Sequence, residues 1–125
     1  MREWRAMQRK RKSSLVPRLR IVSGRDIAFG PGKAELLARV AANGSIMEAA
    51  KRMGMSYMRA WSLIQTMNTC FKQPLITAVR GGSDRGGAEL TETGRHVLNL
   101  YQGMEKVALK AAQSRWRDVQ KLLRD

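Results

Sequence analysis

Apolar and polar positions alternate in short stretches early in the chain and then settle into helical spacing. Leu19-Arg20-Ile21-Val22 and Asp26-Ile27-Ala28-Phe29 flank Ser23-Gly24-Arg25, which predicts two short strands joined by a glycine-containing turn. Past Gly30-Pro31-Gly32, Ala34, Leu37, Ala38 and Ala41 recur at i, i+3, i+4 and i+7 until Asn43-Gly44, predicting a first helix of about three turns closed by a left-handed glycine. Ser45-Ile46-Met47-Glu48 has the form of a capping box and starts a second helix on an Ile46, Ala49, Ala50, Met53 stripe. Gly54 ends that helix, and Ser56 is placed to cap a third one reaching about Phe71. At 100° per residue Ala60, Ile64, Met67 and Phe71 share one side of this third helix, with Trp61 at the margin, while Met58, Arg59, Ser62, Thr66 and Thr69 take the other.

After Pro74 the β-branched run Leu75-Ile76-Thr77-Ala78-Val79-Arg80 predicts a strand, and Ala88-Glu89-Leu90 its return. Between them Gly81 to Gly87 holds four glycines and reads as the tip of a wing. Thr91 caps a last helix whose apolar residues Val97, Tyr101, Met104, Ala108 and Ala111 step by 4, 3, 4 and 3, close to a heptad rhythm. Past Ala111 the phase slips by one residue and Ala112, Trp116, Val119 and Leu123 resume it, so a bend or end is expected near Ser114. Roughly 34 residues at 1.5 Å rise make a helix about 50 Å long, more than one small domain can cover. A two-fold partner is the common solution. Val97, Tyr101, Met104, Val107, Ala108 and Ala111 are therefore the dimer-interface candidates.

The two helices from Ser45 to Phe71 have the spacing of a helix-turn-helix: Ala50 permits close approach, Gly54 the tight turn, and Ala60 and Ile64 the lock of one helix on the other. An ordinary αα-hairpin in a helical core meets the same spacing. On the polar side, however, Arg59 can donate a bidentate pair to guanine O6 and N7, Ser62 can reach either kind of base edge, and Met58 can pack on a thymine methyl. Ser56 and the free N–H groups of the first turn favour a phosphate. Tyr57 lies nearer the core side by its helical angle, yet its hydroxyl is close enough to the helix end to take a phosphate as well. In the glycine loop, Arg80 and Arg85 are candidates for the sugar-phosphate backbone. The loop lacks the order of a P-loop, so no nucleotide site is expected.

Charge strengthens this reading. The chain has 125 residues, and 24 Lys plus Arg against 10 Asp plus Glu leave a net charge of +14. Half of the excess lies in residues 1–20, where Arg9-Lys10-Arg11-Lys12 forms a polybasic cluster with no apolar period, and Lys10 and Arg11 are taken as DNA contacts. That tail has too few large apolar residues for a membrane anchor. A composition 43% apolar and 27% charged fits a single globular domain of this length. Cys70 is the only cysteine and His96 the only histidine, and Glu35, Glu48, Glu89, Glu92 and Glu105 are scattered, so no catalytic or metal site and no cofactor is expected. Lacking a long apolar run or signal segment, the chain is expected in the cytoplasm, associated with the nucleoid.

The pieces Gly44-Ser45-Ile46, Ser56-Tyr57-Met58-Arg59-Ala60-Trp61 and Met67-Asn68, followed by Gly81-Gly82, Gly86-Gly87 and Leu90-Thr91 with Gly94, resemble the N-terminal winged-helix domain of ModE-type molybdate-responsive regulators. LysR-type regulators share the latter pieces more loosely. The resemblance spans about Leu19 to Ala111. It implies a dimeric transcriptional regulator with the third helix in the major groove of double-stranded DNA and the glycine loop as wing. In the full-length members of that family further C-terminal domains bind the oxyanion; here no molybdate site is expected, and sensing is left to a separate oxyanion-binding partner or is absent. The fold expected is α+β, mainly α: a basic tail (1–17), a winged helix-turn-helix with a short N-terminal hairpin (18–90), and a long dimerisation helix and tail (91–125). A nucleoid-type protein indifferent to sequence, or a protein-interaction adaptor, would share much of this pattern.

Overall fold

The computed structural model describes residues 12–79 and 87–124. Strands β1 (Ile21–Ser23) and β2 (Asp26–Phe29) form an antiparallel hairpin. Helices α1 (Pro31–Asn43), α2 (Ile46–Arg52) and α3 (Tyr57–Cys70) follow, then an antiparallel pair β3 (Ile76–Ala78) and β4 (Ala88–Leu90), and the long helix α4 (Glu92–Leu122). This is a winged helix-turn-helix with an N-terminal hairpin. Residues 18–103 form one compact unit, which includes the first turns of α4, and residues 12–17 with 104–124 belong to a second.

Local chemistry sets most of the boundaries. Pro31 opens α1, where its missing N–H costs nothing and its fixed φ suits the first turn. Gly44 closes α1 at φ 68°, and its N–H donates to the Val40 carbonyl at 2.7 Å. The Ser45 hydroxyl accepts from Glu48 N at 3.1 Å, as a capping residue should. The reciprocal half of the expected capping box is replaced: the Glu48 carboxylate accepts from Arg52 Nε at 3.2 Å, one turn further on.

The core departs from the expected stripe in α1. Leu36, Leu37 and Val40 are fully buried with Ala34, whereas Ala41 is exposed. The larger side chains win the inward positions because they remove more apolar area from water. Phe29 sits at the centre, edge-on to Phe71 at 6.3 Å and to Tyr101 at 5.0 Å between ring centroids. It thereby ties β2 to the end of α3 and the start of α4.

Two further departures concern α4. The helix does not end near Ser114 but continues to Leu122, since the phase slip changes which face is apolar without introducing a helix breaker. And Tyr101, expected at a dimer interface, is only 1% exposed and donates its hydroxyl to the Leu19 carbonyl at 2.8 Å. Val97 also packs partly against the core. Tyr101 therefore serves the domain that carries it.

Candidate nucleic-acid interface

The turn between α2 and α3 is short because Gly54 adopts φ 69°, and the Met55 N–H returns to the Ala50 carbonyl at 3.0 Å. Ser56 then caps α3, accepting from Arg59 N at 3.1 Å. Ala60, Ile64 and Met67 are buried against the neighbouring elements, which fixes the rotation of α3 about its axis. The opposite side is left in solvent.

On that outer side Met58 is 69% exposed and Tyr57 37%, and Ser56, Arg59 and Ser62 are exposed. Trp61 stands at the edge, 44% exposed. The structure thus brings Ser56, Tyr57, Met58, Arg59 and Ser62 together at the N-terminal half of one helix. Thr66 and Thr69 contribute little to this surface, since their hydroxyls turn back to the Ser62 and Thr66 carbonyls. Gln65, absent from the sequence-based candidates, is exposed on the same face. Its place three residues after Ser62 and seven after Met58 was the available signal.

The wing is anchored at its base. Asn68 of α3 accepts from Leu75 N at 2.8 Å and donates to the Ile76 carbonyl at 3.1 Å. On the other strand, Ala88 N donates to the Gly44 carbonyl at 3.0 Å, and Ser45 and Gly87 form an isolated antiparallel bridge. The β3–β4 pair is therefore held between the end of α3 and the α1–α2 corner, in the register Ile76 to Leu90, Thr77 to Glu89 and Ala78 to Ala88. Arg80 and Arg85 of the wing, and Lys10 and Arg11 of the tail, lie outside the described residues.

Of the dimer candidates, Met104 and Val107 are 46% and 69% exposed, Ala111 is exposed and Ala108 partly so. Among the described residues there is no group of three or more His, Cys, Asp or Glu able to hold a metal ion. No helix among them is long and apolar enough to cross a membrane.

A short capped turn, a helix seated by its apolar side and a hairpin following it are the parts of a DNA-reading module. The model of the bacterial regulatory helix-turn-helix proteins of the lysR family matches residues 32–95, from the start of α1 into α4. The chain belongs to this lysR-type helix-turn-helix family. The family implies binding to double-stranded DNA, and within it this lysR-type chain is similar to ModE regulators. It is 38% identical over 78 residues to the molybdenum transport protein ModE of Azotobacter vinelandii, covering 62% of this chain and 29% of that protein. It is 37% identical over 81 residues to the DNA-binding transcriptional dual regulator ModE of Escherichia coli, covering 65% and 31%. With the molybdenum-pterin-binding protein MopB of Rhodobacter capsulatus it shares 38% identity over 86 residues, 69% and 32% of the two chains. The chain spans about a third of the length of these relatives. In the part that the comparisons cover, the chain is a lysR-type helix-turn-helix domain similar to the corresponding part of the ModE regulators.

Proposed function

We propose that this protein binds operator DNA as a homodimer and regulates genes connected with molybdenum transport or metabolism. The supporting observation is the solvent-facing N-terminal half of α3, where Ser56, Tyr57, Met58, Arg59, Ser62 and Gln65 stand free of the core. In this reading Arg59 reads a guanine, Ser62 and Gln65 read neighbouring base edges, Met58 packs on a thymine methyl, and Ser56 and Tyr57 take a phosphate. Arg80 and Arg85 of the glycine loop, and Lys10 and Arg11 of the tail, add backbone contacts that carry affinity without sequence preference.

The dimer forms through α4, with Met104, Val107, Ala108 and Ala111 as the contact residues, and places the two α3 helices about 34 Å apart on a pseudo-palindromic site. The chain is divided functionally into a basic tail (1–17), a DNA-reading domain (18–90) and a dimerisation segment (91–125). It works in the cytoplasm on the nucleoid. Oxyanion sensing belongs to a separate protein or domain. The molybdenum link rests on the names of the relatives, which carry it for themselves.

Titration of labelled duplexes over a salt series tests the reading. Sequence-selective binding with a steep negative slope of log K on log salt is expected. Equal affinity for every duplex would instead support a nucleoid-type role, and no binding at low salt an adaptor. Arg59→Ala should cost about 1–3 kcal/mol and relax preference at one base position. A variant that bound every site as tightly as the wild type would overturn the assignment of α3 as the reading helix.

A further inference from the structure

Beside the first turn of α3 a groove of about 320 Å³ is lined by four cationic side chains that converge from three separate stretches of chain: Arg18 and Arg20 ahead of β1, Lys33 in α1, and Arg59 in α3. No acidic side chain lines it. Among the described residues none of the four is ion-paired, the two salt bridges there joining Glu35 to Arg39 and Glu48 to Arg52. Met55 and Leu63 contribute an apolar wall. The stem of Arg20 lies along the backbone of Gly30, where an added Cβ would stand 3.6 Å from Arg20 Cγ. Lys33 donates to the Ile27 carbonyl, so its ammonium is held against strand β2.

Four like charges gathered without a counterion repel one another, and an anion lowers that cost. Arg59 belongs both to the groove and to the exposed face of α3, so the two surfaces are continuous. We propose that the groove holds backbone phosphates of the DNA strand flanking the bases that α3 reads, with Arg18 and Arg20 as the principal contacts. The proposal rests on the DNA-binding reading above and adds to it a second contact surface, formed by the N-terminal hairpin rather than by the wing or the tail. Arg18 and Arg20 are placed beside the first turn of α3 by the fold. Their contacts are therefore expected at fixed phosphates.

The test is the double variant Arg18→Gln/Arg20→Gln in the full chain. It should weaken binding to all duplexes alike and make the log K against log salt slope less negative by about 2, with the base preference unchanged. Arg18→Lys/Arg20→Lys should keep the wild-type slope. Neutral methylphosphonates placed one at a time in the operator give the same test on the unaltered protein, with affinity falling at one or two phosphates outside the bases that α3 reads. An unchanged slope in the glutamine variant while the wild type binds DNA, or no sensitive phosphate there, overturns the proposal and leaves the DNA reading intact. Saturable binding of inorganic phosphate that the glutamine variant loses, with DNA binding unaltered, overturns it in favour of a free oxyanion. Failure of the wild type to bind any duplex would overturn the DNA reading itself and this proposal with it.

Discussion

Asn68 spends its amide on the backbone of the neighbouring strand. Its oxygen accepts from Leu75 N at 2.8 Å and from Ile76 N at 3.4 Å, and its nitrogen donates to the Ile76 carbonyl. These strand groups lie where the ladder to β4 begins, and the amide offers a carbonyl acceptor and an NH2 donor side by side, so it serves both kinds of group there at once. Asn68→Ala would strand three partly buried polar groups. It should lower stability by about 2–3 kcal/mol in urea unfolding, because an unmet buried donor or acceptor costs more than a made bond contributes. Nothing in the local pattern around Met67-Asn68 announces this role. A polar residue near the end of an amphipathic helix is expected in solvent, and only the tertiary fold brings β3 beside it.

The elements themselves were largely legible. Gly44, Ser45 and Ser56 mark boundaries through backbone chemistry that acts over three or four residues, so the turn and caps of α2 and α3 follow from sequence. The exposed side of α3 followed as well, since Ala60, Ile64 and Met67 leave one orientation that buries them. What the spacing missed were choices between competing apolar faces. In α1, Leu36 and Val40 displaced Ala41, and in α4 the heptad rhythm divided, with Tyr101 turned into the core and Met104 outward. A heptad count records which residues are apolar but not which neighbour covers them. The groove of Arg18, Arg20, Lys33 and Arg59 was invisible for a similar reason, as its members are up to 41 positions apart. Within α4, Gly103 has open space where a Cβ would stand, and its φ is not positive. Gly103→Ala should therefore raise stability by about 0.5–1 kcal/mol, read as a higher urea midpoint at unchanged slope.

At the scale of the whole molecule, a chain of net charge +14 must hold together against its own repulsion, and an anionic partner relieves it. Thermal stability is accordingly expected to rise with added duplex at low salt, an effect that shrinks as salt screens the charges. The proposed self-association involves different residues. Val107, 69% exposed on α4, belongs to the proposed dimer surface. Val107→Glu should weaken dimerisation at least about tenfold, or about 1.4 kcal/mol, by sedimentation equilibrium. Unchanged association would remove that stretch of α4 from the interface.

The junction of β3, β4 and α4 has a mechanical consequence. Thr91 N donates to the Leu75 carbonyl at 2.9 Å, the Thr91 hydroxyl donates to the Pro74 carbonyl at 2.7 Å, and Gly94 lies so close that an added Cβ would stand 2.1 Å from Leu75 O. A joint pinned this tightly has no play. Any tilt imposed on the first turns of α4 must carry the start of β3 with it, and so shifts the β3–β4 pair as a whole.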